Sequence, residues 1–112
     1  MIMRWWRGAV RHEDAQAYLK HQAGTGITDY RAAAGNQGAV VLTRDLGPLL
    51  EVVTLSFWDD LDAVRGFAGD PVDQARFYPG DDDLLAEKDL QAHHWTVASS
   101  DLAPLLSHLT PD

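Results

Sequence analysis

Two apolar, β-branched runs constrain this chain more than any other feature: Ala39 to Asp45 (AVVLTRD) and Leu49 to Trp58 (LLEVVTLSFW), joined by Leu46-Gly47-Pro48. Such residues suit the pleated surface of a sheet, and a three-residue connection with glycine and proline suits a tight turn, so the pair predicts a β-hairpin. Successive strand side chains point to opposite faces. In the longer run Leu49, Val53, Leu55 and Phe57 therefore share one face, and Leu50, Val52 and Trp58 share the other. Both faces are apolar, and each needs a cover.

Around the hairpin the pattern alternates. Residues 2 to 10 are large and apolar without helical spacing and predict a first strand. From Glu13 to Gln22, the residues Ala15, Tyr18, Leu19 and Gln22 recur at helical spacing behind two acidic residues suited to a helix N-terminus, and Gly24 and Gly26 end that helix. Ile27 to Ala34 gives mixed signals, and Gly35-Asn36-Gln37-Gly38 reads as a turn. After the hairpin, Asp59 or Asp60 can cap a second helix with an apolar stripe of Leu61, Val64, Phe67 and Ala68, closed by Gly69. Asp70-Pro71 reads as a fresh cap with proline at the first helical position, starting a short turn through Ala75 that Pro79-Gly80 stops. Asp81-Asp82-Asp83 leads into another short helical turn. Residues 92 to 99 (AHHWTVAS) predict a fourth strand, and Leu102, Leu105, Leu106 and Leu109 predict a small C-terminal helix starting near Pro104.

The resulting β-α-β-β-α-β order is that of an α+β, ferredoxin-like protomer with helices on one face of an antiparallel sheet, spanning 1–100, with a helical tail over 101–112. Two helices cover one face only. A second copy of the chain is expected to cover the other, giving a symmetric homodimer. The 112 residues fit one domain, and the absence of cysteine excludes disulfides, thiolate metal sites and a Cys nucleophile. A formal net charge of −8 repels phosphate backbones and anionic lipid, so neither nucleic acid nor membrane is expected as a partner. The opening MIMRWWRGAV carries Arg4 and Arg7 within its apolar stretch, unlike a signal peptide or membrane span, so a soluble, cytoplasmic protein is expected.

Particular residues go further: Arg4-Trp5-Trp6-Arg7-Gly8 in the first strand, Gly35-Asn36-Gln37-Gly38, Arg44, Thr54-Leu55-Ser56-Phe57-Trp58-Asp59, Phe67-Ala68-Gly69-Asp70, Ala75, Tyr78-Pro79, Asp82, Leu85 and His94-Trp95-Thr96-Val97. With these the chain resembles the antibiotic biosynthesis monooxygenase-like proteins of the dimeric α+β barrel superfamily. Trp95 and Thr96 depart from the family's closing His-Tyr-Glu-Val segment, and 101–112 lie outside the likeness. The resemblance implies a homodimer of ferredoxin-like protomers, each with a pocket between sheet and helices. Some relatives oxidise polycyclic phenols with dioxygen and no metal or flavin, others degrade haem, and many have no established reaction. The haem degraders use a first-strand asparagine, and a tryptophan and a haem-ligating histidine near the second helix; this chain departs at all three, so no cofactor is expected.

A cofactor-free oxygenase needs a pocket that excludes water, a base to ionise the substrate and donors for the developing anion. His94 is the candidate base, because imidazole titrates near neutral pH and the family pattern holds a histidine there. Its plainer role is a fixed hydrogen-bond partner of a backbone carbonyl. Arg4 is the candidate anion holder, or equally an ion-pair partner of one of the acidic residues. The Tyr78 hydroxyl is a second donor or merely anchors its turn. Trp6, Trp58 and Phe67 are candidates to line a flat aromatic pocket, with core packing as the alternative for Trp58 and Phe67. If the strand faces coincide, Arg4, Trp6, Thr54, Ser56, Trp58, His94 and Thr96 form one patch. No spacing suits a metal: His93 and His94 point to opposite faces, and Asp81-Asp82-Asp83 lacks the alternation of a calcium loop, so the acidic run reads as a solvated cap.

The expected function is thus a cofactor-independent monooxygenase-like protein acting on a small hydrophobic aromatic substrate of phenolic or quinol type. The alternatives are a non-catalytic ligand-binding or structural homodimer, and an isomerase or lyase using the same base without oxygen.

Overall fold

A computed structural model describes residues 1–109. The chain opens with β1 (Ile2–Arg11), passes through a 3-10 turn (His12–Asp14), and continues as α1 (Ala15–Gly24), α2 (Gly26–Ala32), β2 (Asn36–Leu46) and β3 (Leu49–Trp58). Then come α3 (Leu61–Ala68), the one-turn α4 (Asp81–Leu84), β4 (Leu85–Lys88), β5 (His93–Thr96) and α5 (Ala103–Leu109). The sheet runs β2-β3-β1-β4, and β5 pairs with the other half of the same β1 edge. All its pairs are antiparallel. This is the α+β, ferredoxin-like arrangement that the order of elements predicts. Among the described residues no helix is long and apolar enough to cross a membrane.

The hairpin and its alternation set the register. β1 pairs with β3 from Ile2 opposite Trp58 to Arg11 opposite Leu49, which places Arg4 across from Ser56 and Trp6 across from Thr54. On β3 the even positions Val52, Thr54, Ser56 and Trp58 are buried, while Val53, Leu55 and Phe57 between them are only partly covered. The even face carries the helices. Two apolar clusters form there, one of Val10, Tyr18 and Val52 with Leu84 and Leu85, and one of Trp58, Val64 and Phe67 with Ile2 and Tyr30. α3 serves the second cluster: its cap Asp60 accepts the Ala63 N–H at 2.8 Å, and Val64 and Phe67, three apart, point inward. α1 serves the first with Ala15 and Tyr18 and buries Gln22 one turn on, while Leu19 is exposed. Between the two clusters the sheet turns polar, with Arg4, Thr54 and Ser56 all buried.

One open segment takes shape, and two expectations need correction. Ile27 to Ala34 folds mostly as α2, which has no buried residue of its own to announce it. The fourth strand is split: β4 lies earlier than the 92 to 99 window, and β5 covers only part of that window. Asp70-Pro71 starts no helix; the peptide is cis, and residues 69–80 run without a helix or strand. Backbone bonds from Ala75 N–H to the Leu90 carbonyl and from Ala92 N–H to the Asp73 carbonyl hold that segment beside 89–92 instead. The C-terminal helix forms as expected, beginning just after Leu102, with Leu105, Leu106 and Leu109 exposed, and the last three residues of the 101–112 tail lie outside the described residues.

Candidate functional site

The polar middle of the sheet floors a cavity of about 40 Å³. Arg4, Trp6 and Thr54 form the floor, Tyr18 and Gln22 of α1 and Tyr30 of α2 one wall, and Phe67 of α3 another. Arg76, Phe77 and Tyr78 from the irregular 69–80 segment, with Asp81 of α4, close it over. That volume admits two or three waters or one polar group of a ligand, well below the several hundred Å³ of a pocket for a whole drug-sized molecule.

Arg4 anchors this construction. It is 3% exposed, and its guanidinium donates to the Val72 carbonyl (2.8 Å), the Gln74 carbonyl (2.8 Å) and His94 Nε2 (3.0 Å). One buried cation thus pins the 69–80 segment onto the sheet. Trp6 donates its indole N–H to the Asp89 carbonyl at 2.8 Å and meets Phe77 edge to face. The indole lies directly over Gly8, where an added Cβ would sit 2.7 Å from Trp6 Cη2 and 2.9 Å from Leu85 Cδ2. Gly8→Ala is therefore expected to cost about 1–3 kcal/mol in urea unfolding, the usual range for an overpacked core. An unchanged midpoint would show that the indole swings aside freely.

Over the cavity, the Tyr78 hydroxyl donates to Asp29 Oδ2 at 2.9 Å, and Arg76 reaches the same carboxylate oxygen at 3.2 Å while stacking on the Phe67 and Tyr78 rings. Burial first, and then that bond to Asp29, push the Tyr78 phenol well above its ordinary value. Gln22 donates to Thr54 Oγ1 at 2.8 Å. Asp81 takes His21 Nε2 on one oxygen (2.8 Å) and the Tyr78 backbone N–H on the other (2.7 Å). Among the described residues no three His, Asp or Glu side chains converge as a metal site.

The expected patch does share one face: Arg4 pairs with both Ser56 and His94, and Trp6 with Thr54. Arg4, Trp6, Phe67 and Tyr78 line the cavity, but His94 and Trp58 do not. Trp58 is 0% exposed, packed against Tyr30 and Phe67 with its indole N–H on Ser56, so it is a core residue rather than a pocket wall. His94 lies behind Arg4, its Nε2 accepting from the guanidinium and its Nδ1 donating to Asp73 at 3.0 Å. Both His94 nitrogens are thus engaged, one by Arg4 and one by Asp73, and the residue is not part of the cavity lining. Sequence reasoning missed Tyr18, Gln22, Tyr30, Arg76 and Asp81 as cavity residues. Tyr18 and Gln22 left a signal, a phenol and an amide on the inward stripe of the first helix.

Burial first, and then the Arg4 cation, depress the His94 pKa, with Asp73 opposing. The folded protein therefore resists protonation of this imidazole more than the unfolded chain does. The stability His94 contributes is present above the ordinary imidazole pKa and is lost as pH falls through it toward the lower folded value. Urea midpoints of the wild type minus those of His94→Gln are expected to narrow between about pH 7 and about pH 5. A constant difference across that range would contradict a depressed His94.

No known protein-family model matches the chain, and no curated protein does. Solved structures do. A Bacillus cereus protein named a "putative antibiotic biosynthesis monooxygenase" superposes with a TM-score of 0.63 at 17% identity, over 91% of this chain and 97% of its own. Rv0793 of Mycobacterium tuberculosis gives 0.60 at 17% identity, over 88% and 96%. Atu4242 of Agrobacterium tumefaciens gives 0.59 at 22% identity, over 88% and 94%. The likeness covers nearly the whole of each chain and is one of fold.

Proposed function

We propose that the chain is a homodimeric α+β barrel protein that binds a small aromatic phenol or quinol at the Arg4 and Trp6 cavity and oxidises it with dioxygen, without cofactor. The observation that carries this reading is the cavity itself, a small chamber walled by aromatic rings over a buried cation. Such a chamber suits the oxygen-bearing end of a ring compound, because charge developing there lies beside the fixed Arg4 cation in a low-dielectric setting. The fold of the Bacillus cereus protein, and the name that protein carries, support the same reaction class. The ring itself needs more room than about 40 Å³, so Phe77 and Tyr78 swing outward as it enters.

In this reading a water molecule in the cavity takes a proton from the bound hydroxyl or activated CH₂ group and passes it to solvent, and the carbanion-like anion reduces dioxygen and forms the C–O bond. For an anthrone the CH₂ becomes C=O, with one oxygen atom retained and the other released as water. Arg4, held by His94, supplies the fixed positive charge beneath the anion. Trp6, Phe67 and Phe77 exclude water from it. Anthrones and hydroquinones are expected to give cofactor-free dioxygen uptake on an oxygen electrode, reduced about tenfold or more in His94→Ala, which frees Arg4 from its fixed position. Binding without uptake would replace this reading with that of a non-catalytic ligand-binding dimer, which the engaged donors of Arg4 favour. Turnover undiminished under nitrogen would make it an isomerase or lyase.

A further inference from the structure

We propose that Tyr18 and Asp81 form a recognition pair for a neutral hydroxyl group, Tyr18 donating to the ligand oxygen and Asp81 accepting the ligand's own O–H. The inference rests on the reading above that this cavity receives a small aromatic. It adds which functional group enters and which is refused.

The polar groups of the cavity are mostly spoken for. Arg4 and Arg76 spend donors on carbonyls and Asp29, Tyr78 donates to Asp29, the Trp6 indole to Asp89 and the Gln22 amide to Thr54. Tyr18 is different. It is 3% exposed, lines the cavity, and its hydroxyl has no hydrogen-bond partner among the described residues. The hydroxyl is not sealed in the core but opens onto the cavity, where an incoming oxygen can accept its hydrogen bond. The Tyr18 ring packs in one core cluster with Val10 and Val52, which holds the hydroxyl oxygen in place. Burial first, and then the Asp81 charge, push its phenol well above the ordinary value, which keeps the donor protonated.

Asp81 supplies the opposite partner. It is 7% exposed and lines the same cavity, and its two known bonds, from His21 and from the Tyr78 N–H, leave about two of a carboxylate's four acceptor sites unused. His21 is a positioning residue here. It reaches Asp81 across Gly80, whose φ of +96° and missing Cβ leave the imidazole its place; a Cβ there would stand 3.2 Å from the ring. A hydroxyl carries one donor and two acceptor lone pairs and satisfies both partners. An ether has no proton for Asp81. A carboxylate has none either and adds repulsion.

Calorimetric titration of the wild-type protein with 2-naphthol, 2-methoxynaphthalene and 2-naphthoate tests the pair. Naphthol is expected to bind at least about tenfold tighter than either analogue. Tyr18→Phe is expected to weaken naphthol about tenfold while leaving the methyl ether unchanged, a change in ratio that general loss of folding does not produce. Asp81→Asn introduces donors and is expected to shift preference toward the ether and the naphthoate. Equal binding of naphthol and its methyl ether to the wild type, or equal effects of Tyr18→Phe on both, would overturn the pair and leave the aromatic-binding reading standing. Failure of all three compounds to bind would overturn that reading and the pair with it.

Discussion

Replacing Arg4 by methionine is expected to lower folding stability by about 3 kcal/mol or more, a fall in Tm of roughly 15 °C for a domain of this size. The methionine stem fills part of the same volume, so the loss is one of hydrogen bonds rather than space. Three acceptors, the Val72 and Gln74 carbonyls and His94 Nε2, lose a charged donor. Each such bond contributes about 1.5–3 kcal/mol, and the cost of burying the guanidinium offsets part of the sum. The effect has an address as well as a size. Val72 and Gln74 lie in the 69–80 segment, so the Ala75 and Ala92 amides, which bond to Leu90 and Asp73, are expected to exchange with deuterium far faster in Arg4→Met than amides of β1 or β3. A loss under 1 kcal/mol, with exchange unchanged, would mean that Arg4 does not hold the segment and that its charge is free for a ligand.

That dependence explains what could be read from the residues alone. The hairpin, the first strand and α3 were legible because their apolar spacing is local, and the face shared by Arg4, Trp6 and Thr54 follows from alternation once β1 lies beside β3. What escaped is held by polar partners far along the chain. Asp70-Pro71 has the local form of a helix start, yet the Val72 and Gln74 carbonyls are claimed by a guanidinium nearly seventy residues away. Asp81 looks like one of three solvated cap residues, yet it is buried because His21 meets it from α1. His94 sits where the pattern of the strands placed it, but its role depends on Arg4 and Asp73 claiming both nitrogens. Side-chain periodicity carries no information about such bonds. β4 escaped for a related reason: its four residues have little pattern of their own, and their pairing follows β1 around Gly8.

Leu55→Glu is expected to convert a dimer into a monomer while leaving the protomer folded. Leu55 stands on the sheet face opposite the helices, opposite Trp5 on β1 and Val40 on β2, and belongs to neither core cluster. With Phe57, Leu42 and Trp95 it makes an apolar field, two of whose members, Leu42 and Trp95, are exposed in a single chain. The charges on this face are already paired: Glu51 lies between Arg7 and Arg44 at 2.6 Å from each, and these two hold its carboxylate below the ordinary range. A second copy can therefore approach without burying an unpaired charge. In a two-fold assembly every substitution counts twice, so two glutamates in place of two leucines are expected to cost at least about 4 kcal/mol, close to a thousandfold in Kd. Light scattering at micromolar concentration is expected to give twice the 12.4 kDa chain mass for the wild type and the single chain mass for Leu55→Glu. Leu61→Glu, on the outer surface of α3, is the matched control and is expected to remain dimeric. A wild type that runs as a monomer would leave this field uncovered in solution and remove the dimer. A Leu55→Glu variant as dimeric as its parent would place the interface elsewhere, with the exposed leucines of α5 as the next surface to alter.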